Sequence, residues 1–368
     1  MTDKKYWIWL SAALGQGART DELLSAYTNP EEVFNDDRRA RMISGVFTKA
    51  KLDRLESASI TDAENTVRIC EKNGWKIYTP DDDDYPARLR SLRDMPLVLF
   101  VSGDITCLKD RLAVGVVGTR NPSYESVKIT KRIAGDLALA DAAVISGGAL
   151  GIDSAAHEGA LESGGFTVCV LGCGLGTGYL NSNEKLRGEI SKHGAVVTEY
   201  PPFSPASRQT FPIRNRIISG MSHGVLVVEA GEKSGSLITA NCATEQGRDL
   251  FAVPGNILSS SYTGTNKLIK DGAGAVTDAQ DIIRPLTQIY GFSSSRVQRE
   301  EKKPVKASLP AVSPDALAVY KLLQKQPMHP DEICAECNLT PAKVLSALME
   351  LEISGLAEQT EGKKYIPV

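Results

Sequence analysis

Residues 143–153 read AVISGGALGID and decide the fold. They combine a short apolar strand with a glycine-rich turn and the start of a helix. The same order repeats from residue 105 to residue 292, and the strands are rich in Val, Ile, Ala and Leu. Short apolar strands that alternate with helices predict a buried parallel sheet of βαβ units, which is a doubly wound α/β fold. The predicted strands are Leu112–Val117, Ala143–Ser146, Phe166–Leu171, Ala195–Glu199, Gly224–Glu229, Asp249–Val253 and Ala275–Thr277, and the predicted helices are Ser126–Leu139, Asp153–Ser163, Asn215–Met221, Leu237–Gly247 and Thr265–Lys270.

The segments on either side of this core have different patterns. Residues 1–104 show apolar residues at helical spacing and predict a helical domain with a connector to the core. Residues 293–312 are polar, contain proline and carry a net positive charge, as flexible linkers do. Residues 313–368 contain three helical patterns and a terminal strand signal, which together predict a winged helix-turn-helix.

Composition and charge exclude several classes of protein. The 368 residues include 42 Lys+Arg and 45 Asp+Glu, so the net charge of −3 gives no overall attraction to nucleic acid. Any such binding must come from local placement of basic residues. The longest uncharged stretch, Ser163 to Asn183, is rich in glycine and polar residues and predicts no membrane span. The seven cysteines are scattered, which favours a reducing cytoplasm.

No metal or cofactor is expected. Cys334 and Cys337 have C-x-x-C spacing without a second pair of ligands, and the acidic run Asp81–Asp84 is typical of a solvated turn. The chain has no G-x-x-x-x-G-K-[ST] loop, and the first turn of the core is not G-x-G-x-x-G. A P-loop ATPase and a dinucleotide-dependent enzyme are therefore poorly supported.

The candidate site lies at the carboxyl ends of the predicted strands, where doubly wound sheets bind their ligands. Glycine turns expose backbone N–H groups, and arginine offers a planar fork for phosphate oxygens. Phe211 and Tyr179 on the same edge can stack on unpaired bases. The pattern predicts a site for a ligand with several phosphates. Its segments are Gly118–Asn121, Ser146–Asp153, Gly172–Tyr179, a loop from Tyr200 to Arg216 with Arg208, Phe211, Arg214 and Arg216, Lys233–Ser236 and Pro254–Asn256.

Five motifs in one order show a resemblance to a known family. With these motifs the chain resembles the DNA-processing protein A family (DprA, also called Smf) over nearly its whole length. The motifs are VGTRNP at Val117–Pro122, SGGALGID at Ser146–Asp153, FPIRNRIISG at Phe211–Gly220, SGSLITA at Ser234–Ala240, and VPG at Val253–Gly255 with GTNKLIKDGA at Gly264–Ala273.

The resemblance implies an architecture and a function. It implies a helical SAM-like N-terminal domain, an extended Rossmann-like core and a C-terminal winged helix. It also implies a non-enzymatic homodimer that binds single-stranded DNA and loads the RecA recombinase during natural transformation, with single-stranded-DNA-binding protein as a further candidate partner. The implied phosphate pocket is Gly118, Thr119, Arg120, Ser146, Gly147 and Gly148, and the second patch is Arg208 and Phe211 with Arg214, Asn215 and Arg216 adjoining.

One loop departs from the family pattern. Where family members usually have Asp and Pro after the third core strand, this chain has Gly176 and Leu180. We expect this loop to be more mobile and to have lost some of its usual contacts. Tyr179 and Asn183 of the family pattern remain.

Two other readings stay open. Asp153, His157 and Glu158 could form the acid/base group of a nucleotide-hydrolysing Rossmann-like enzyme, or could be a helix cap followed by surface residues. The C-terminal module could read duplex DNA, but it has five Lys, no Arg and eight acidic residues. Its recognition helix, Pro341–Ser354, is therefore poorly equipped for base edges, and a protein-contact or regulatory role is favoured.

Overall fold

The computed structural model describes residues 3–179, 181–292, 312–324, 326–337, 339–360 and 364–367. The chain forms two compact units, Met1–Gln298 and Arg299–Val368. The predicted linker at residues 293–312 lies outside the described residues except for Val312. No helix in the described ranges is long and apolar enough to cross a membrane.

The larger unit is built on a nine-stranded sheet. All seven strands predicted from residue 105 onward are confirmed, with ends that shift by a residue or two. The strands are β1 (Lys76–Tyr78), β2 (Leu99–Gly103), β3 (Ala113–Val117), β4 (Ala143–Ser146), β5 (Thr167–Leu171), β6 (Gly194–Thr198), β7 (Gly224–Val227), β8 (Asp249–Ala252) and β9 (Gly274–Ala275).

The strand order is β1-β2-β6-β5-β4-β3-β7-β8-β9. The seven strands from β6 to β9 are parallel, whereas β2 pairs antiparallel with β6 through Val101 and Val197, and β1 pairs antiparallel with β2. The sheet is therefore mixed and mostly parallel. The chain runs outward from β3 in both directions, so the topological switch point lies between β3 and β7.

β1 and β2 lie before residue 105, in the segment expected to be helix and connector. They join the core sheet, so the sheet extends across the expected boundary at residues 104 and 105. A signal for β2 is present in the sequence, because an apolar run from Leu97 to Val101 lies between Pro96 and Gly103. The pairing with β6 has no local signal, since it joins residues almost one hundred positions apart.

Six helices precede the sheet and confirm the helical N-terminal region. Their side chains form one apolar cluster around Trp7, Trp9 and Leu10, and this cluster continues onto Phe100 of β2 and Ile190. The helices are α1 (Lys4–Leu14), α2 (Asp21–Ala26), α3 (Pro30–Asn35), α4 (Arg38–Ile43), α5 (Lys49–Ser57) and α6 (Ile60–Lys72).

Helices cover both faces of the sheet, as a doubly wound fold requires. Along β3, Val114 and Val116 pack in one apolar layer, and Ala113 and Val117 pack in the other. This alternation is the two-residue period of a strand buried on both sides. The helices are α7 (Tyr124–Leu139), α8 (Ile152–Glu162), α9 (Glu184–Lys192), α10 (Thr210–Met221), α11 (Ser236–Glu245), α12 (Thr263–Lys270) and α13 (Gln280–Tyr290).

The loop predicted from Tyr200 to Arg216 is wrong in its second half. Helix α10 begins at Thr210, five residues before the predicted start, so Phe211 and Arg214 lie on a helix. Pro212 hides this start in the sequence. A proline in the first turn is tolerated because the backbone N–H it lacks has no partner within the helix there.

The smaller unit is a winged helix, as predicted. Three helices pack around Val319, Ile333 and Leu348, and two short strands pair antiparallel through Glu358 and Ile366. Cys334 and Cys337 are free thiols. Its elements are α14 (Pro314–Leu323), α15 (Pro330–Cys337), α16 (Pro341–Ile353), β10 (Ala357–Gln359) and β11 (Tyr365–Pro367).

Candidate nucleic-acid interface

A cavity of about 490 Å³ opens at the carboxyl ends of β3 and β7, and we call it the switch-point cavity. Its walls are the turn after β3, the first turns of α10, and the segment that begins α11. Segments about one hundred residues apart in sequence therefore meet around one space. The predicted site residues on its wall are Gly118, Thr119, Arg120, Arg208, Phe211, Arg214 and Asn215.

Aromatic and cationic side chains are stacked at this cavity. The guanidinium carbon of Arg120 lies 5.1 Å from the centre of the Phe211 ring, which is cation–π distance. The Tyr179 ring also packs against Phe211, with the two ring centres 5.4 Å apart. Arg120 is exposed, whereas Phe211 is half-buried. A flat base and a phosphate could therefore be engaged side by side here.

Arg214 is a buried part of the cavity wall and packs against the glycine turn after β4. Its Nη1 atom would lie only 1.6 Å from a Cβ atom at position 147, so only glycine allows the backbone to approach the guanidinium this closely. Burial lowers the pKa of Arg214, and the nearby Asp153 carboxylate opposes that shift. Within the described chain, Nε of Arg214 has no hydrogen-bond partner.

Asp153 organises the same glycine turn from inside. Its carboxylate accepts a hydrogen bond from the backbone N–H of Ala149 at 3.3 Å. Burial raises the pKa of Asp153, and the positive charge of Arg214 together with the backbone N–H groups of Ala149 and Gly147 opposes that shift. The N–H groups of this turn that point at Asp153 are committed to the protein. They are less available to a ligand than the sequence suggested.

Three predicted residues of this turn do not line the switch-point cavity. The Ser146 hydroxyl donates to the carbonyl oxygen of Val116 at 2.6 Å, so its proton is used inside the fold. Gly147 packs on Arg214 as described above. Gly148 has a φ of 65°, and its carbonyl oxygen accepts from Asn183 Nδ2 at 3.2 Å. These residues shape the wall from behind rather than facing the cavity.

Arg216 also points away from the cavity. Its Nη2 donates to Glu199 at 2.5 Å, and its Nε lies 3.4 Å from the Asp94 carboxylate. Burial raises the pKa of Glu199, and Arg216 opposes that shift. The reason is helical geometry, because two residues along α10 turn the side chain about 200° away from Arg214. The prediction that grouped the two arginines treated this segment as a loop.

Glu229 was missed as a site residue; it was the last residue of the predicted strand Gly224–Glu229 and lies two residues after the end of β7. Its backbone carbonyl accepts from the Thr119 N–H at 2.8 Å, and its carboxylate accepts from the Ser123 N–H at 2.9 Å and the Ser123 hydroxyl at 3.1 Å. Tyr262 adds hydroxyl contacts to Ser123 and Ser126 at 3.2 and 2.8 Å. Glu229 thus holds both ends of the turn that carries Arg120. The sequence signal that could have identified Glu229 is an acidic residue directly after an apolar strand.

The predicted hydroxyls after β7 do face the cavity. Ser234 and Ser236 lie on its wall, and their Oγ atoms are 2.8 Å apart. With Asn215 they add polar groups to the wall of the same cavity. Such groups can donate hydrogen bonds to phosphate or base oxygens.

Asp153, His157 and Glu158 do not form an acid/base group. The Thr167 hydroxyl donates to Val144 at 2.8 Å, so it accepts from the Nδ1–H of His157 at 2.7 Å. Burial, with a smaller effect of Arg214, lowers the pKa of His157 to about 3, so the ring is neutral. Glu158 instead pairs with Lys131 at 2.9 Å on the surface.

The structure explains the glycine at position 176. Gly176 has a φ of 77°, and a Cβ atom there would lie 2.4 Å from the Phe203 ring and 3.0 Å from Trp75. The loop is tied to the segment after β6, since Gly174 N–H donates to Ser204 at 2.9 Å and Phe203 N–H donates to Leu175 at 2.9 Å. These contacts join the loop to the segment after β6, and its expected mobility stays a prediction. Leu180 lies outside the described residues.

The sheet order and the cavity define a Rossmann-like protein with a cationic and aromatic site at its switch point. The chain belongs to the DNA recombination-mediator protein A (DprA) family. The family model for DNA recombination-mediator protein A matches residues 76–287, and the model for the DprA winged helix domain matches residues 303–363. The first match begins at β1, so the family core includes both antiparallel strands. The chain is thus a DNA-processing protein of the recombination-mediator type.

Curated relatives and solved structures agree with this assignment. The chain is 36% identical to the putative DNA processing protein DprA of Mycobacterium tuberculosis, over 83% of this chain and 80% of the relative. It is similar to the crystal structure of DNA processing protein A from Streptococcus pneumoniae, with a TM-score of 0.66, 33% identity, and coverage of 77% and 98%. DNA processing protein A from Helicobacter pylori, whose structure was described for its single-stranded DNA binding mode, gives a TM-score of 0.53, 32% identity, and coverage of 59% and 98%.

Proposed function

We propose that this protein is a cytoplasmic mediator that binds single-stranded DNA in the switch-point cavity, protects it, and loads RecA onto it during natural transformation. The observation that carries the proposal is the stack of Arg120 on Phe211 at a cavity that also holds Arg208 and Asn215. Stacked aromatics beside arginines are what unpaired bases and their phosphates require. The single-stranded DNA binding described for the H. pylori relative supports the same substrate.

The proposed contacts follow from which groups are free to act. Arg120 and Arg208 are exposed and bind phosphates, while Phe211 stacks on a base. Arg214 supplies positive charge at the cavity wall, and Gly118 and Thr119 let the strand approach the turn. Glu229 keeps this turn in place. The proposal involves no covalent chemistry. In support, His157 is buried and hydrogen-bonded to Thr167, and Glu158 pairs with Lys131 at the surface.

The same proposal assigns partners beyond DNA. A homodimer would place two cavities on one strand, and single-stranded-DNA-binding protein would be the competitor that the mediator displaces. The winged helix is assigned to protein contact or regulation rather than duplex DNA. In support, α16 exposes Leu345, Met349 and Ile353 one turn apart, and its Lys343 lies 3.5 Å from Asp315.

The test is fluorescence anisotropy with labelled oligo-dT and a matched duplex, for wild type, Arg120→Ala and Arg132→Ala. Arg132 lies on α7, and its side chain is 73% exposed. The control variant Arg132→Ala therefore removes the same charge outside the cavity. We expect salt-sensitive binding to the single strand, weak binding to the duplex, and a loss of about 10-fold or more for Arg120→Ala only. No single-strand binding at low salt would refute the proposal.

RecA loading has its own readout. RecA filament formation on strands coated with single-stranded-DNA-binding protein should be faster with the wild type than without it, and Arg120→Ala should lose this effect. Light scattering of the purified chain gives its molar mass in solution and so tests for the dimer. Deletion of 313–368 should leave oligo-dT binding unchanged, whereas a loss of binding would assign the DNA contact to the winged helix.

A further inference from the structure

A second cavity lies in the N-terminal helical region, next to the turn that joins α1 to α2. It has a volume of about 240 Å³, and Leu14, Arg19, Glu22 and Lys51 contribute to its wall. We call Gly15–Arg19 the hairpin turn and this space the hairpin cavity. Neither belongs to the site described above.

The hairpin turn lies between the two cavities. Gly15 and Gly17 have φ values of 82° and 73°, which glycine adopts without strain. A Cβ atom at Gly17 would lie 2.9 Å from Ile213 Cγ2, so the turn packs directly on α10. The neighbours of Ile213 along the chain, Pro212 and Arg214, line the switch-point cavity. Arg19 at the end of the turn, and Leu14 just before its start, line the hairpin cavity.

A buried carboxylate lies beside the turn. Glu199, which binds Arg216 of α10, is close enough to the Gly17 backbone for that N–H to oppose the rise in the Glu199 pKa. Arg216 and Glu199 are both buried, so this ion pair fixes α10 next to the turn, and Gly17 packs on Ile213 of the same helix. The hairpin turn therefore keeps a defined place beside the switch-point cavity.

Two basic side chains of α5, Lys51 and Arg54, lie beside the turn. Arg54 lies over it, with Nη1 donating to the Leu14 carbonyl at 3.3 Å. Neither Lys51 nor Arg54 has a carboxylate within 4.0 Å among the residues that the structure describes. Arg19 is already paired with Asp21 at 3.0 Å and lies 3.8 Å from Glu22, so it contributes less. Lys51 and Arg54 lie three residues apart on one face of α5 and can both reach the same strand.

We infer that the hairpin turn extends the single-stranded DNA path: a strand that leaves the switch-point cavity along α10 places its next phosphates against Lys51 and Arg54. This inference rests on the proposed function, and it names where the strand continues. It predicts a contact that depends on length. A short strand fills the switch-point cavity alone, and only a longer strand reaches α5.

The test compares oligo-dT of about 6 and about 20 nucleotides, since single-strand site sizes are about 4–16 nucleotides per domain. The variant is Lys51→Ala/Arg54→Ala in the full chain. The control is Arg68→Ala/Lys72→Ala, which removes two exposed charges from α6 of the same helical region. Circular dichroism and thermal unfolding check that both variants fold. Binding is measured by anisotropy over a range of salt concentrations.

We expect the variant to bind the longer strand about 10-fold more weakly and the short strand as the wild type does. Its salt slope for the longer strand should fall by about 1.4, because each lost single-strand phosphate contact removes about 0.7. Equal affinity for the longer strand, an equal loss at both lengths, or an equal loss in the control would each overturn the inference. If the wild type binds neither strand, the proposed function fails first, and the two failures are thereby distinguished.

Discussion

The close approach of Gly147 to Arg214 makes Gly147→Ala a sharp test of how the cavity wall is built. The new Cβ would lie 1.6 Å from Nη1 and 2.4 Å from Cζ of Arg214. Carbon and nitrogen atoms pack at about 3.5 Å, so the guanidinium must move by about 2 Å. Arg214 is 4% exposed and has little room to move. We expect unfolding to become easier by about 1–3 kcal/mol, the usual cost of overpacking, and binding to oligo-dT to weaken.

Two further variants isolate the cause. Gly188→Ala is the matched control, because Gly188 lies inside α9 with open space around its Cβ position. It should stabilise the protein by up to about 1 kcal/mol through helix propensity. Arg214→Met removes the group that clashes, so adding Gly147→Ala to it should cost little more. The coupling between the two positions should then be about 1 kcal/mol or more.

Urea unfolding followed by circular dichroism gives the free energies, and anisotropy with oligo-dT gives the affinities. The reasoning is refuted if Gly147→Ala costs less than about 0.5 kcal/mol. It is also refuted if the cost is the same with Arg214 and with Met at position 214. Either result would mean that the position of the Arg214 guanidinium does not depend on the absence of a side chain at residue 147.

Three further predictions concern groups that the site uses or excludes. Glu229→Ala should weaken oligo-dT binding by about 10-fold, because the Arg120 turn loses its acceptor, and Glu229→Gln should lose less; equal losses in anisotropy would contradict this. Arg216→Met should destabilise the protein by about 3 kcal/mol by leaving Glu199 buried without its partner, yet change oligo-dT affinity little at a temperature where it is folded. His157 is neutral in the fold, with its pKa lowered to about 3 from 6.5, so the unfolded chain takes up the proton first and stability falls as pH drops below 6.5. His157→Gln should remove about 2 kcal/mol of the loss between pH 6.5 and pH 5, measured by urea unfolding, and an unchanged pH profile would contradict the buried neutral ring.

Much of the core was predictable because its signals are local. Each parallel strand is a short apolar run that ends at a glycine or polar turn, so β3 to β8 could be read one by one. The carboxyl ends of such strands meet at one edge in any doubly wound sheet, which placed Arg120 and Phe211 near each other before their geometry was known. The winged helix followed from helical spacing in the same way.

The structure revised the predictions that depend on contacts between distant segments of the chain. Arg214 and Arg216 are alike in sequence, but the early start of α10 sends one to the cavity and the other to Glu199. Asp153 was a candidate acid; it lies buried at the cavity wall and accepts a hydrogen bond from its own turn. Ser146 was a candidate hydrogen-bond donor to phosphate, but its hydroxyl donates to the carbonyl oxygen of Val116. In each case the partner is chosen by burial and by residues distant in sequence.

By itself, the sequence determined the strands, the glycine turns and the class of residue at the sheet edge, since strand and helix periods depend only on neighbouring residues. Only the tertiary structure decided which of those residues face the cavity, that Glu229 anchors the Arg120 turn, and that the hairpin turn lies against α10. These outcomes depend on contacts between distant segments, where burial forces each polar group to find a partner. The pattern of residues along the chain does not show which distant partner each polar group finds.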